Sequence, residues 1–235
     1  MMGIIDSTST EAKRRVSAGF QDQWIVADQQ TAGRGRQDHQ WISPQGNIYA
    51  TALFREPGGL PVALRLPFAA ALAVSDVVRH HAPSADVRLK WPNDVRIDRK
   101  KVSGILVETG GSGTDFWVAA GIGINVLALP TNVGQPATSL LELGMQHDAT
   151  VENVLATLRD AFAARLAQAR AGFTEIRQTW LDRAEALGET VHIRAGDVEI
   201  HGIFEDLEPD GALVLRLPDG SRRSIRAGEV EIRRS

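Results

Sequence analysis

Thr31-Ala32-Gly33-Arg34-Gly35-Arg36, followed at loop distance by Trp41, lies between two β-rich runs at 24–27 and 47–54. Gly33 and Gly35 let the backbone approach a ligand closely. Arg34 and Arg36 add planar, permanently charged forks that suit phosphate or carboxylate. Trp41 offers a flat face to an aromatic ring. The segment reads equally as a cradle for an anionic, nucleotide-like ligand or as a solvated basic turn, so its surroundings must decide.

Outward from it, short strands alternate with turns and one strong helix. Trp24-Ile25-Val26-Ala27 and residues 47–54 are β-rich and read as strands. Residues 61–81 predict one long apolar helix, with Pro67 near its start and Pro83 beyond its end. Arg79, His80 and His81 complement its C-terminal dipole, which assigns the histidines to structure rather than metal. Residues 87–91 predict a strand that Trp91-Pro92 ends by taking the chain out of the sheet, because proline donates nothing to a ladder. Residues 103–109 and 116–122 predict a hairpin across Gly110-Gly111-Ser112-Gly113. Leu155, Leu158, Phe162 and Leu166 mark an amphipathic helix over 149–171, and a second is expected over 174–187. After Gly188 short strands follow at 191–194, 198–204, 212–217 and 222–225. Ala195-Gly196-Asp197, Pro209-Asp210-Gly211 and Pro218-Asp219-Gly220 separate them. That spacing predicts a small SH3-like β-barrel. The expected fold is α+β, with domains at 1–187 and 188–235.

Bulk properties narrow the function classes. The 235 residues are 43% hydrophobic and 23% charged, as in ordinary globular proteins. The net charge of −3 provides no global basic field for nucleic acid. With no cysteine, disulfides, thiolate metal sites and a cysteine nucleophile are excluded. No apolar run of the roughly 18–20 residues that span a bilayer is evident, and residues 1–18 lack the pattern of a signal peptide. A soluble, cytoplasmic protein without membrane partners is expected.

Three further motifs carry chemistry. Lys90-Trp91-Pro92-Asn93-Asp94 presents amide and carboxylate oxygens at a strand end, or is simply a terminator with an Asx turn. Lys101-Val102-Ser103-Gly104-Ile105-Leu106-Val107-Glu108 sets a lysine at the mouth of an apolar strand, with Gly104 leaving room beside it. The alternative there is a snorkelling edge lysine. Gly121-Ile122-Gly123-Ile124-Asn125-Val126 fails as a dinucleotide fingerprint, since it lacks G-x-G-x-x-G and a following helix. Neither a P-loop nor a G-x-S-x-G or H-E-x-x-H motif occurs.

In their order and spacing these segments resemble the biotin protein ligases. The resemblance runs through Asp6-Ser7-Thr8, residues 30–36, Trp41, 90–94, 101–108, 121–125 and the C-terminal β unit. It implies a mixed-sheet catalytic domain like that of class II aminoacyl-tRNA synthetases. It also implies an enzyme that joins the biotin carboxylate to the α-phosphate of ATP and then passes biotin to a lysine of a biotin carboxyl carrier domain of acetyl-CoA carboxylase. Position by position, Ser7, Thr8, Ser9 and Gln30 match contacts to the biotin head, and Gly104 lets biotin lie on the strand. Gly33, Arg34, Gly35 and Arg36 match a loop that folds over the adenylate. Lys101 matches the lysine at the biotin carboxylate and α-phosphate, and with Arg34 and Arg36 forms the implied catalytic set. Trp41 matches a residue near adenine, and Asn93 and Asn125 match nucleotide-side positions. Asp94 is a candidate for Mg²⁺ or for a structural hydrogen bond.

Three departures from the family pattern stand out. Asp38-His39 replaces a second Gly-Arg pair, Ser9 replaces an asparagine, and no helix-turn-helix precedes the first motif. DNA binding is therefore not expected, and a monomer or homodimer is. The rival readings are a lipoate–protein ligase of the same fold and a non-catalytic biotin-sensing protein.

Overall fold

The computed structural model describes residues 2–37, 39–131, 133–146, 149–195, 198–226 and 228–231. Seven strands build the larger sheet: β1 (Met2–Ile5), β2 (Gln23–Gln30), β3 (Ile48–Arg55), β4 (Val87–Lys90), β5 (Asp94–Ile97), β6 (Lys100–Gly110) and β7 (Trp117–Ile124). Their order is β1-β2-β3-β7-β6-β5-β4. The first pair is parallel and the others antiparallel, so the sheet is mixed as expected.

Alternation along these strands decides what covers each face. Val26, Ala52, Val118 and Ala120 point to one side, where they join the main core with α3 (Leu66–His81), α4 (Val151–Ala171) and α5 (Thr174–Asp182). The alanine run Ala69 to Ala73 of α3 is fully buried, so a thin helix surface lies close to the sheet. Ile25, Leu53 and Ala119 point to the other side, where a small cluster receives Ala12 of α1 (Thr8–Ser17). That helix covers only one end of the face. Beyond it the register sets Leu106 opposite Gly121 and Gly104 opposite Gly123. The uncovered half of the face is therefore paved with glycine.

Several expectations are corrected. The helix over 61–81 is two pieces, α2 (Gly59–Ala63) and α3, separated at Leu64-Arg65. Pro67 lies in the first turn of α3, where its missing N–H costs nothing; in a continuous helix it would have removed a bond. The stretch Gly59–His81 is long and apolar enough to cross a membrane by length and composition, but most of it is buried as a core helix. Trp91-Pro92 does not take the chain out of the sheet. It turns the chain back, and Asp94 of β5 pairs with Lys90 of β4. The helix expected to reach residue 187 stops at Asp182, because the following segment runs beside β4: Leu89 N–H donates to Arg183 O at 2.8 Å and Glu185 N–H to Leu89 O at 2.8 Å. That pairing covers one edge of the sheet and leaves β1 at the other.

The smaller sheet contains β8 (Thr190–Ala195), β9 (Val198–Leu207), β10 (Leu213–Arg216), β11 (Arg222–Ile225) and β12 (Glu229–Glu231), in the order β11-β10-β9-β8-β12. The last strand was not anticipated. Phe204 and Leu213 share one continuous core with Phe68 and Trp180. Phe68 meets Trp180 edge-on with ring centroids 5.5 Å apart. The Trp91 indole N–H donates to Gly211 O at 3.0 Å, which ties the small sheet to the turn between β4 and β5.

Candidate active site

A cleft of about 620 Å³ opens over the glycine half of the sheet. Its walls contain Thr8, Ser9, Gln30, Arg34, Gly35, Arg36, Trp41, Asn93, Asp94, Lys101, Gly104 and Asn125, segments 8–125 of the sequence brought to one place. Two expected residues are not among them. Ser7 instead caps α1, its Oγ accepting from Thr10 N–H at 3.5 Å. Gly33 lies under Trp41 O and Gln30, where a Cβ would collide with both. Its role is to close the loop, with Trp41 N–H donating to Gly33 O at 2.9 Å.

Gln30 is fixed before any ligand arrives. Its Oε1 accepts from Thr8 N–H at 2.8 Å and its Nε2 donates to Ser43 Oγ at 3.0 Å. Thr51 Oγ1 reaches Thr8 Oγ1 at 2.9 Å and completes the polar corner. The loop 33–41 folds as a small hairpin, with Gly35 N–H donating to His39 O at 2.7 Å. Its two arginines diverge. Arg34 Nη1 lies 2.9 Å from Glu108 Oε2, whereas Arg36 Nη1 lies 3.5 Å from Asn93 Oδ1. Asn93 is clamped to β6 by Nδ2 donating to Ile105 O at 2.7 Å. Asp38, which sets this loop apart from the family pattern, lies outside the described residues.

Lys101 occupies the centre. Its Nζ sits 2.6 Å from Asp94 Oδ1 and 5.3 Å from the centroid of the Trp41 ring. Trp41 rests on the glycine floor: a Cβ at Gly123 would come within 2.5 Å of its indole, and one at Gly104 within 2.9 Å. It thus shares the strand surface of Gly104 rather than forming a separate wall. Lys90 also lines the cleft, and burial pulls its ammonium below the usual lysine range while Asp94 partly restores it. Four cations, Arg34, Arg36, Lys90 and Lys101, line the cleft, two of them already paired, Arg34 with Glu108 and Lys101 with Asp94. That lining favours an anion.

Two buried polar atoms of the cleft walls have no hydrogen-bond partner among the described residues: Asn125 Oδ1 and Trp41 Nε1. Asn125 is 1% exposed and its Nδ2 is spent on Thr138 O at 3.0 Å. Its buried oxygen is an acceptor awaiting a donor, and an unmet buried acceptor is costly. No group of three or more His, Cys, Asp or Glu side chains converges on a metal position among the described residues. A cation accompanying a nucleotide would find Asp94 already engaged with Lys101.

Residues 2–125 match the biotin/lipoate A/B protein ligase family, and residues 186–233 match the biotin protein ligase C-terminal domain. The chain belongs to the biotin/lipoate protein ligase family. It is 41% identical to the biotin–[acetyl-CoA-carboxylase] ligase of Paracoccus denitrificans, over 98% of both chains. It is 31% identical to the bifunctional ligase/repressor BirA of Escherichia coli, over 99% of this chain and 73% of that one. Among solved structures, the biotin protein ligase from Aquifex aeolicus in complex with biotin and ATP superposes with a TM-score of 0.81 at 31% identity, covering 100% of this chain and 97% of that one.

Within this ligase, the sequence did not expose three features of the site. Lys90 was quoted in its motif but given no role, because only the β4–β5 hairpin sets it against Asp94. Gly228 and Val230 of the small sheet reach the cleft from the far end of the chain. A groove of about 310 Å³ beside the cleft shares Arg36 and Asn93 with it and is closed by Asp210, Gly211 and Arg226.

Proposed function

We propose that the ligase activates biotin with ATP to biotinyl-5′-AMP and transfers biotin to a lysine of the biotin carrier domain of acetyl-CoA carboxylase. The observation that carries this reading is Lys101, held at 2.6 Å by Asp94 above the Gly104–Gly123 floor of a cation-rich cleft. A carboxylate oxygen of biotin attacks the α-phosphorus, the bond to the bridging oxygen breaks and pyrophosphate leaves. The acceptor amine then attacks the acyl carbon, loses a proton and displaces AMP. Neither step needs a protein nucleophile, so a chain without cysteine is no obstacle. Positioning and charge stabilisation supply the catalysis.

Roles follow from position. Thr8, Ser9, Gln30 and Gly104 receive biotin, with Ser7 organising the first turn of α1 beneath them. Lys101 and Arg36 act on the developing phosphate charge, Arg34, paired with Glu108 at 2.9 Å, serves the loop that covers them, and Asn93 and Asn125 serve the nucleotide side. Trp41 lies over the joint floor. Mg²⁺ enters as the counter-ion of ATP. Residues 1–187 hold both substrates and residues 188–235 form a separate unit that completes the wall. We place the reaction in the cytoplasm, where ATP is available, on a monomer or homodimer without DNA or membrane partners.

Biotin and ATP are offered together, and the product is weighed. Biotinyl-5′-AMP is expected. Lipoate is offered in parallel, since the matched family includes lipoate ligases. Lipoyl-AMP formed without biotinyl-AMP overturns the choice of substrate.

A further inference from the structure

Glu108 belongs to no substrate wall, yet it receives the lid. It stands four residues along β6 from Gly104, on the same face of the sheet and about 13 Å away at the usual rise of a strand. Its two oxygens are divided between two elements. Lys13 Nζ of α1 lies 2.8 Å from Oε1, and Arg34 Nη1 of the loop lies 2.9 Å from Oε2. Glu108 is 17% exposed, whereas Lys13 and Arg34 are 45% and 37% exposed. The carboxylate is therefore the better-anchored partner, set in a strand and held from behind by a helix, and Arg34 reaches it from the loop. The loop turns over between Arg34 and Gln40, which are bridged, so seating Arg34 at Glu108 directs the rest of the hairpin back over the cleft. Arg36 then lies on the Asn93 side.

We propose that Glu108 is a positioning residue that latches the 33–41 lid through Arg34, and so governs how long an acyl-adenylate stays in the cleft. The latch is present in the chain without ligand. It acts on retention of the intermediate rather than on the bond-making step. Because it is a partly exposed ion pair, its strength is modest and salt-sensitive. The consequence for the intermediate rests on the biotin-ligase reading; the latch itself does not.

Two measurements on the full chain separate these. Trypsin cleavage after Arg36 in the ligand-free protein reports lid opening without any substrate. Glu108→Gln is expected to speed this cleavage by roughly two- to fivefold, the scale of one surface ion pair. Arg34→Met is expected to do the same, and the double variant to be cleaved no faster than Arg34→Met alone. Unchanged cleavage in Glu108→Gln, or additive effects in the double variant, overturns the latch. The second measurement follows release of radiolabelled acyl-adenylate preformed from biotin and ATP. Release is expected to be roughly two- to fivefold faster in Glu108→Gln, with the rate of adenylate formation near that of the wild type. Raised salt is expected to speed release more in the wild type than in Glu108→Gln, which has already lost one of the screened contacts. A loss in formation with unchanged release overturns the retention role. If the wild type forms no acyl-adenylate, the functional reading fails, and the cleavage arm still decides the latch.

Discussion

Lys101 is the residue on which the proposed chemistry concentrates. Its ammonium is held between a carboxylate and an indole face, with no freedom to follow solvent. Lys101→Ala is expected to lower acyl-adenylate formation by about 10²–10³, the cost of losing one group aimed at developing charge, while biotin affinity measured calorimetrically survives within about tenfold. Full turnover by that variant would remove Lys101 from the mechanism. Lys90 differs in kind, for its burial disfavours the charged form. In a titration of Lys90 labelled as a ¹³C-dimethylamine, the midpoint is expected below the ordinary lysine value of 10.5. A midpoint at that value would show that Lys90 is solvated. Gly123 tests the floor, because a methyl group there must displace Trp41. Gly123→Ala is expected to red-shift the tryptophan emission and raise the KM for biotin, and an unchanged spectrum and KM would count against the packing.

At the scale of elements, local signals were legible and long-range ones were not. The hairpin across 110–113, the helix ending at Ala171 and the strands after Gly188 follow from turn residues and periodicity, which are local. Pro67 was noticed, but whether it breaks a helix or begins one depends on the turn before it. The helix α1 was not foreseen: its apolar residues are few, and the cap at Ser7 lies inside a motif whose resemblance points to a ligand. Asp182 ends α5 because the distant edge strand β4 competes for the next backbone groups, and no local pattern reports that. The cleft residues were legible where charged and glycine residues cluster in one short motif, as at Arg34-Gly35-Arg36 and Lys101 to Gly104, and silent where pairing makes the role, as at Lys90 and Glu108.

Asn47 shows the same limit. Its Oδ1 accepts from the N–H groups of Val126, Leu127 and Ala128 at 2.8, 3.2 and 3.1 Å, and its Nδ2 donates to Ala128 O at 3.0 Å. One amide thus anchors the chain leaving β7 behind the cleft. Asn47→Ala is expected to cost about 2–3 kcal/mol in denaturant titration, several buried bonds at once. A loss below about 0.5 kcal/mol would mean that the loop stands without it. In α1, hydrogen bonds from Arg15 and Arg14 outweigh burial and hold the Glu11 carboxyl below its ordinary 4.5. With the folded value depressed, this contribution is present above pH 4.5 and fades as pH falls through the folded value. Glu11→Gln is expected to lose a few tenths of a kcal/mol at pH 7 and nothing at pH 2. A deficit that persists unchanged in acid would point to packing instead.

Across the whole molecule, the two sheets share no strand but share a core. Removing residues 188–235 would bare Phe68, Trp91 and Trp180 to water. The truncated ligase is expected to aggregate or melt far lower, and any soluble fraction to lose ATP use and acceptor transfer more than biotin binding. Gly211 is the sharper probe, since it adopts φ +82° and its Cβ would press into the Phe68 ring. Gly211→Ala is expected to loosen the small sheet, reaching the cleft only through Trp91, whose indole N–H it binds. The wild type should unfold in one calorimetric transition, and two resolved transitions would contradict the shared core.

The turn Trp91-Pro92-Asn93 faces both ways: its indole holds the small sheet through Gly211, and its amide faces Arg36 of the loop over the cleft. Three consecutive residues thus carry two attachments. A substitution that frees the indole from Gly211 is therefore felt at Asn93 and Arg36 through the backbone of the turn, without a contact to either.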